Sequence, residues 1–295
     1  MNRETVRYEV TDGVLVLTLT RPENLNAFTV QMADDLEAAF DEASADPEVA
    51  AIVVTGEGKA FCAGMDLSSE GNVFGLDEDL QPTLADLYDR FDDPAIVSGV
   101  RDTGGRVSLA IYRCPKPVIG AINGAAVGIG ATMTLPMDFR LASEKARIGF
   151  VFGRLGIVLE ACSSWFLPRV VGMQNALELI YTADIVDAER AKDLGLVRSI
   201  HPPEELLDAA IALAHRFVDG RSPVATALMR HMLYRNSAFA SPVDAHRVDS
   251  LAMYYTSIAD GKEGVAAFLE KRPAQFTSTL PADLPDFLAE TDSIR

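Results

Sequence analysis

Residues 117–137, PVIGAINGAAVGIGATMTLPM, carry no charged side chain and constrain this 295-residue chain more than any other stretch. About 20 uncharged residues in a row are long enough to span a bilayer as a helix. Gly120, Gly124, Gly128 and Gly130, with Asn123 and Pro136, interrupt this run. Their close spacing suits a buried strand, a turn and a tightly packed helix better than a lipid-facing span. The expectation is therefore a buried core segment and no membrane association.

The flanking sequence alternates strand and helix signals. Val14 to Leu19 is β-rich and follows the turn pair Asp12-Gly13. Residues 29–45 predict an amphipathic helix, with Thr29 as cap and Met32, Leu36, Ala39, Phe40 and Ala43 on one face. Ala51 to Thr55 and Pro117 to Ile122 are continuous apolar runs, as strands covered on both faces require. Phe139–Ala142 and Ile148–Phe150 are shorter strand candidates. Strands alternating with helices predict crossover units and a mainly parallel α/β sheet. Beyond about residue 170 the pattern predicts a helical annex, with helices over 203–218, 223–236 and 243–259 and Pro203 at a first helical position. Residues 66–108 read as polar loop with some helix, and the segment from Pro273 onward as a loosely held tail.

Charge narrows the partners. With 43 acidic and 26 basic side chains the formal charge is −17, which argues against nucleic acid and anionic membrane surfaces. An anionic ligand needs backbone N–H groups or a few placed cations. Three cysteines, Cys62, Cys114 and Cys162, with no CxxC, predict a reducing, cytoplasmic compartment. MNRETVRYEV has no apolar stretch, so no secretory signal is expected.

Several chemistries fail on spacing. His201, His215, His231 and His246 pair with no Cys or Glu at ligand spacing, so no metal site is expected. There is no GxSxG. Gly56-Glu57-Gly58-Lys59 resembles the end of a P-loop, but Val53 and Ala60 occupy positions that need Gly and Ser or Thr. Gly128-Ile129-Gly130 begins a dinucleotide fingerprint that Met133 leaves incomplete. Cys62 and Cys162 sit among apolar neighbours, which predicts inert packing.

Two glycine-bearing turns remain, each after a buried strand: Lys59 to Asp66, and Asn123 to Gly130. Both readings of them stay open. They are tight turns that need glycine, or they expose amides that converge on one oxygen and stabilise an oxyanion. Glu160 also has two readings, as a carboxylate at a helix start, or as a base whose pKa is raised in a pocket of Val158, Leu159, Trp165 and Phe166.

The sequence resembles the crotonase superfamily, the enoyl-CoA hydratase/isomerase family. The resemblance is carried by Arg21-Pro22 with Asn26-Ala27-Phe28, Phe61 to Leu67, Lys116 to Gly124 and Gly128 to Asp138. Pro168 to Gly172, Ala188 to Val197 and Phe268 to Arg272 continue it, and it runs over residues 6–276. It implies a ββα spiral core over 1–200, a helical trimerisation region over 201–276 and a loose acidic tail over 277–295. It also implies a homotrimer or dimer of trimers, acyl-CoA thioester substrates, no metal, and no cofactor beyond the coenzyme A of the substrate.

By position, the resemblance puts oxyanion-hole N–H groups at Met65 and Ile129 and coenzyme A contacts at Ala63, Gly64 and Asp66. Lys271 or Arg272 would meet phosphates or simply end a solvated helix. Hydratases of this pattern carry two glutamates, and the matching positions here are Thr132 and Phe152. Glu160 matches the single glutamate of Δ3,Δ2-enoyl-CoA isomerases. The expectation is such an isomerase. The alternatives are an enoyl-CoA hydratase and a non-catalytic acyl-CoA-binding homologue.

Overall fold

Two sheets share the strands of each successive turn of chain. The computed structural model describes residues 3–68 and 71–287. β1 (Val6–Thr11) and β2 (Val14–Leu19) form an antiparallel hairpin on the turn at Asp12-Gly13. α1 (Val30–Ala45) follows, with the Thr29 hydroxyl accepting from the Met32 amide at 3.1 Å. Its buried face includes Met32, Leu36, Ala39, Phe40 and Ala43, the residues the periodicity selects.

The chain then repeats a pattern. β3 (Ala51–Gly56) leads to β4 (Ala60–Cys62), β5 (Val118–Ile122) to β6 (Ala125–Val127), and β7 (Phe139–Ser143) to β8 (Arg147–Gly149). The first strand of each pair joins a six-stranded sheet and the second a four-stranded sheet. Between the first two pairs lie α2 (Leu84–Asp89), α3 (Pro94–Gly99) and α4 (Thr103–Arg113). The run 117–137 is thus β5, β6, the single turn α5 (Ile129–Thr132) and irregular chain. Among the described residues no helix is long and apolar enough to cross a membrane.

After β8 come α6 (Phe152–Leu155), α7 (Ser163–Val171), α8 (Met173–Thr182), β9 (Ile185–Asp187), α9 (Ala188–Asp193) and β10 (Ser199–His201). The expected all-helical annex is therefore corrected. β10 extends the large sheet beside β7, and β9 closes the small sheet antiparallel to β8. These strands are three residues long, too short for an alternating pattern to show.

α10 (Leu206–Val218) begins three residues later than Pro203 predicts, because 203–205 form a turn. α10 covers one face of the large sheet, packing Leu206, Ala210, Leu213 and Ala214 on Val53, Ile119 and Leu141. Ile52, Val54, Val118 and Ile122 face the main core on the other side. Burial on both faces explains the unbroken apolar runs of β3 and β5.

The remaining helices are α11 (Pro223–Asn236), α12 (Pro242–Ile258) and α13 (Asp260–Glu270). Arg230 fixes α11 to the core: its guanidinium bonds Asp138 at 2.9 Å and the carbonyls of Ile111, Tyr112 and Cys114. The expected loose tail is in part docked. Leu280 is buried against Val224, Ala227, Leu228 and Ala252, and Phe287 stacks on Tyr255. The rest of that tail, 288–295, lies outside the described residues.

Candidate active site

Two asparagines set the first glycine turn. Asn26 is fully buried and its amide donates to the carbonyls of Glu57 and Ala60. Asn123 donates to the carbonyls of Gly56 and Gly58. Together they tie down the loop between β3 and β4, so the chain leaving β4 has a defined course. Phe28 then takes one side of that chain: its amide donates to the Gly64 carbonyl and its carbonyl accepts from the Asp66 amide, each at 2.8 Å. In such a parallel bridge the intervening residue turns its own amide the other way. The Met65 N–H therefore points away from Phe28, and it donates to no partner among the described residues.

The second turn packs on the first, backbone to backbone. Side chains built at Gly124 and Gly130 would collide with the carbonyls of Lys59 and Cys62. One built at Gly128 would lie 4.0 Å from the Gly64 α-carbon. Gly128 also has φ +55°, a left-handed conformation that an L side chain resists. Ile129 follows as the first residue of α5, and its amide likewise donates to no partner among the described residues. α5 is four residues long, so any helix-dipole contribution there is that of one turn.

Both turns line a cavity of about 680 Å³. Its walls are mainly apolar, including Phe28, Phe74, Leu76, Phe152 and Ile157, and among the described residues Asp102 and Glu160 are the acids that line it. Burial pushes the Glu160 carboxyl up to about 8, Asp102 adds to the rise, and a hydrogen bond with the Thr132 hydroxyl works against it. A neutral carboxyl in an apolar site is a proton donor, and its anion is a strong base.

The neighbours of Glu160 differ from those expected. Val158 and Leu159 do line the cavity, Val158 at the rim with 83% exposure. Trp165 and Phe166, in α7, instead pack on Tyr112 of α4 and are not among the residues lining the cavity. Local sequence places them near Glu160, but the helix that begins at Ser163 turns them away.

Thr132 is fully buried and bonded to Glu160, and Phe152 lines the cavity. Asp102 and Gly104, at the start of α4, reach the site from a segment the sequence presents as polar loop. No local signal marks them. Asp66 pairs with Arg21 at 2.8 Å, and hydrogen bonds from Ser68 and Arg21 hold its carboxyl down at about 2. Ala63 and Gly64 line the cavity. Lys271 is exposed at the end of α13, outside the cavity lining. Burial raises the Cys62 thiol to about 12 and Cys162 to about 11, so both stay protonated near neutral pH. Among the described residues no cluster of three metal-ligating side chains occurs.

Stacked ββα turns with two sheets are the crotonase fold, and solved structures agree. A probable enoyl-CoA hydratase/isomerase from Mycobacterium abscessus matches at TM-score 0.79 and 30% identity, covering 92% of this chain and 98% of that one. A putative enoyl-CoA hydratase from Streptomyces coelicolor A3(2) matches at TM-score 0.79 and 32% identity, covering 94% and 95%. The family model for enoyl-CoA hydratase/isomerase matches residues 9–101 and 98–279. An enoyl-CoA hydratase of Alternaria alternata is 39% identical over 272 residues, 91% of this chain and 84% of that protein. A 1,2-epoxyphenylacetyl-CoA isomerase of Escherichia coli is 32% identical over 283 residues, covering 93% and 98%. The chain belongs to the enoyl-CoA hydratase/isomerase family.

Proposed function

We propose that this protein is a Δ3,Δ2-enoyl-CoA isomerase. The observation that carries the reading is that the Glu160 carboxyl is buried in the cavity wall with its pKa pushed up to about 8; by the resemblance, Thr132 and Phe152 stand where hydratases of the family carry glutamates. The thioester oxygen lies between the Met65 and Ile129 amides. Ionised Glu160 takes a proton from C2 of a 3-enoyl-CoA, and the electron pair moves onto the thioester oxygen as a dienolate. The two amides hold that charge, and losing one such donor typically costs about 10²–10³ in rate. Protonated Glu160 then delivers the same proton to C4, the double bond settles between C2 and C3, and the carboxylate is regenerated.

Coenzyme A enters as part of the substrate, met by Ala63 and Gly64 at the cavity wall; Asp66 contributes by holding that turn through Arg21. We infer further that the chain works as a homotrimer or dimer of trimers, a reading supported by exposed Met253, Phe268 and Leu269 on α12 and α13.

The hydratase reading has its own support, since most of the matched relatives carry that name. The assay that separates the two uses 3-enoyl-CoA, and 2-enoyl-CoA in water, with wild type and Glu160→Gln. Isomerisation by wild type and a fall of about 10²–10⁴-fold in the variant are expected. Strong hydration that survives Glu160→Gln would defeat the isomerase assignment.

A further inference from the structure

Glu160 is followed by an improbable stretch of backbone. Ala161 and Cys162 both have φ +55°, left-handed in succession and without a glycine. Such a conformation persists only where its surroundings over-determine it. Two side chains hold its ends. Ser163 donates both its amide, at 2.9 Å, and its hydroxyl, at 2.5 Å, to the Glu160 carbonyl. On the other side, Asp102 Oδ1 accepts from the Gly105 amide at 2.5 Å and from the Ala161 amide at 2.9 Å. One carboxylate oxygen therefore caps α4 and grips the residue next to Glu160, 59 positions away in sequence. The consequence is registered two residues along α4: the Glu160 carboxyl lies directly over the Gly104 α-carbon.

We propose that Asp102 is a positioning residue that sets the Glu160 carboxyl against the cavity by clamping the Ala161 amide to the first turn of α4. The proposal rests on the reading of Glu160 as the proton carrier. Asp102 transfers no proton and touches no reacting atom. Its grip fixes the direction in which the preceding side chain leaves the turn. Of the ionisable groups facing Glu160, Asp102 acts from α4 and Cys62 from β4, with Cys162 adjacent and both thiols protonated.

Two substitutions separate clamping from capping and from charge. Asn at 102 keeps an oxygen that accepts from both amides and removes the charge. Ser at 102 is a good helix cap but too short to reach Ala161 as well. Asp102→Asn is expected to keep kcat within about threefold of wild type and to move the rising pH limb to lower pH. Asp102→Ser is expected to keep the native fold by circular dichroism, with a lowered melting temperature and KM within about threefold. It should lose roughly 10–100-fold in kcat, the scale of a misplaced catalytic group.

A second readout is independent of the reaction. In protein labelled with ¹³C at glutamate carboxyls, the Glu160 resonance is assigned by its absence in Glu160→Gln and titrated. It should titrate far above the other glutamates in wild type and Asp102→Asn, and fall toward their range in Asp102→Ser. That titration, seen in a protein that does not isomerise 3-enoyl-CoA, would sustain the clamp and sink the isomerase reading alone. An Asp102→Ser protein with wild-type kcat and an unmoved Glu160 titration would overturn the clamp.

Discussion

Glu160 and Gly104 are in direct contact: the carboxyl oxygen Oε2 occupies the space where any side chain at position 104 would begin. The same space is bounded by Ile129 Cδ1, so the acid, the second glycine turn and α4 meet at one point. Gly104 is the second residue of α4, where glycine still gives up some helix propensity relative to alanine. Here the missing side chain makes room for the acid.

Gly104→Ala should gain helix propensity and still lose function. The new methyl must push the Glu160 carboxyl or Ile129 aside, at an overpacking cost of about 1–3 kcal/mol. The expected result is a kcat lowered about 10²-fold with a smaller change in KM. Steady-state kinetics on 3-enoyl-CoA and a thermal melt check both parts. Wild-type turnover in this variant would mean that the carboxyl works from some other position.

The raised pKa of Glu160 predicts two pH effects. Proton abstraction needs the anion, so kcat/KM should rise with pH and level off only above about 8, whereas an ordinary glutamate would leave it flat from pH 6 upward. Because the Thr132 bond holds the value down, Thr132→Val should move this limb to still higher pH. For stability the sign is the opposite one. The folded value of about 8 lies above the 4.5 of an ordinary glutamate in the unfolded chain, so the folded state binds the extra proton between these limits. The Glu160 contribution is most favourable below pH 4.5 and is lost as pH rises to about 8. Denaturant melts should find Glu160→Gln increasingly more stable than wild type over that window, reaching about 2–5 kcal/mol. A constant difference between pH 5 and pH 9 would contradict the burial of this acid.

Ile129 offers a test of the main-chain amides. It is the first residue of α5, where proline is tolerated, and its N–H donates to no partner among the described residues. Ile129→Pro therefore removes a proposed oxyanion donor while sparing the helix. Turnover should fall about 10²–10³-fold with the fold retained by circular dichroism, and Ile129→Val should stay within about tenfold of wild type. Equal activity in the two variants would remove this amide from the mechanism.

Strands, helices and chemistry were unequally legible along the chain. β2, β3, β5 and α1 stand out because continuous burial or a 3.6-residue period leaves an unambiguous pattern over 5 to 16 residues. β9 and β10 are too short to carry one, and Pro203 marks a turn where it suggested a helix start. Leu280 looks like part of a loose tail until α11 and α12 supply the surface that buries it.

Sequence by itself determined the family and the two glycine turns and marked Glu160 as the candidate acid, since each is a local pattern of residue types. It could not determine the surroundings of Glu160. Trp165 and Phe166 are its neighbours along the chain and pack elsewhere, while Asp102, Gly104 and Thr132 are distant along the chain and meet it. A pKa and a side-chain direction depend on which groups exclude water around a carboxyl and which amides hold its backbone. Those groups come together only when α4, α5 and the turn before α7 close on one another, so that part of the chemistry was decided by tertiary structure.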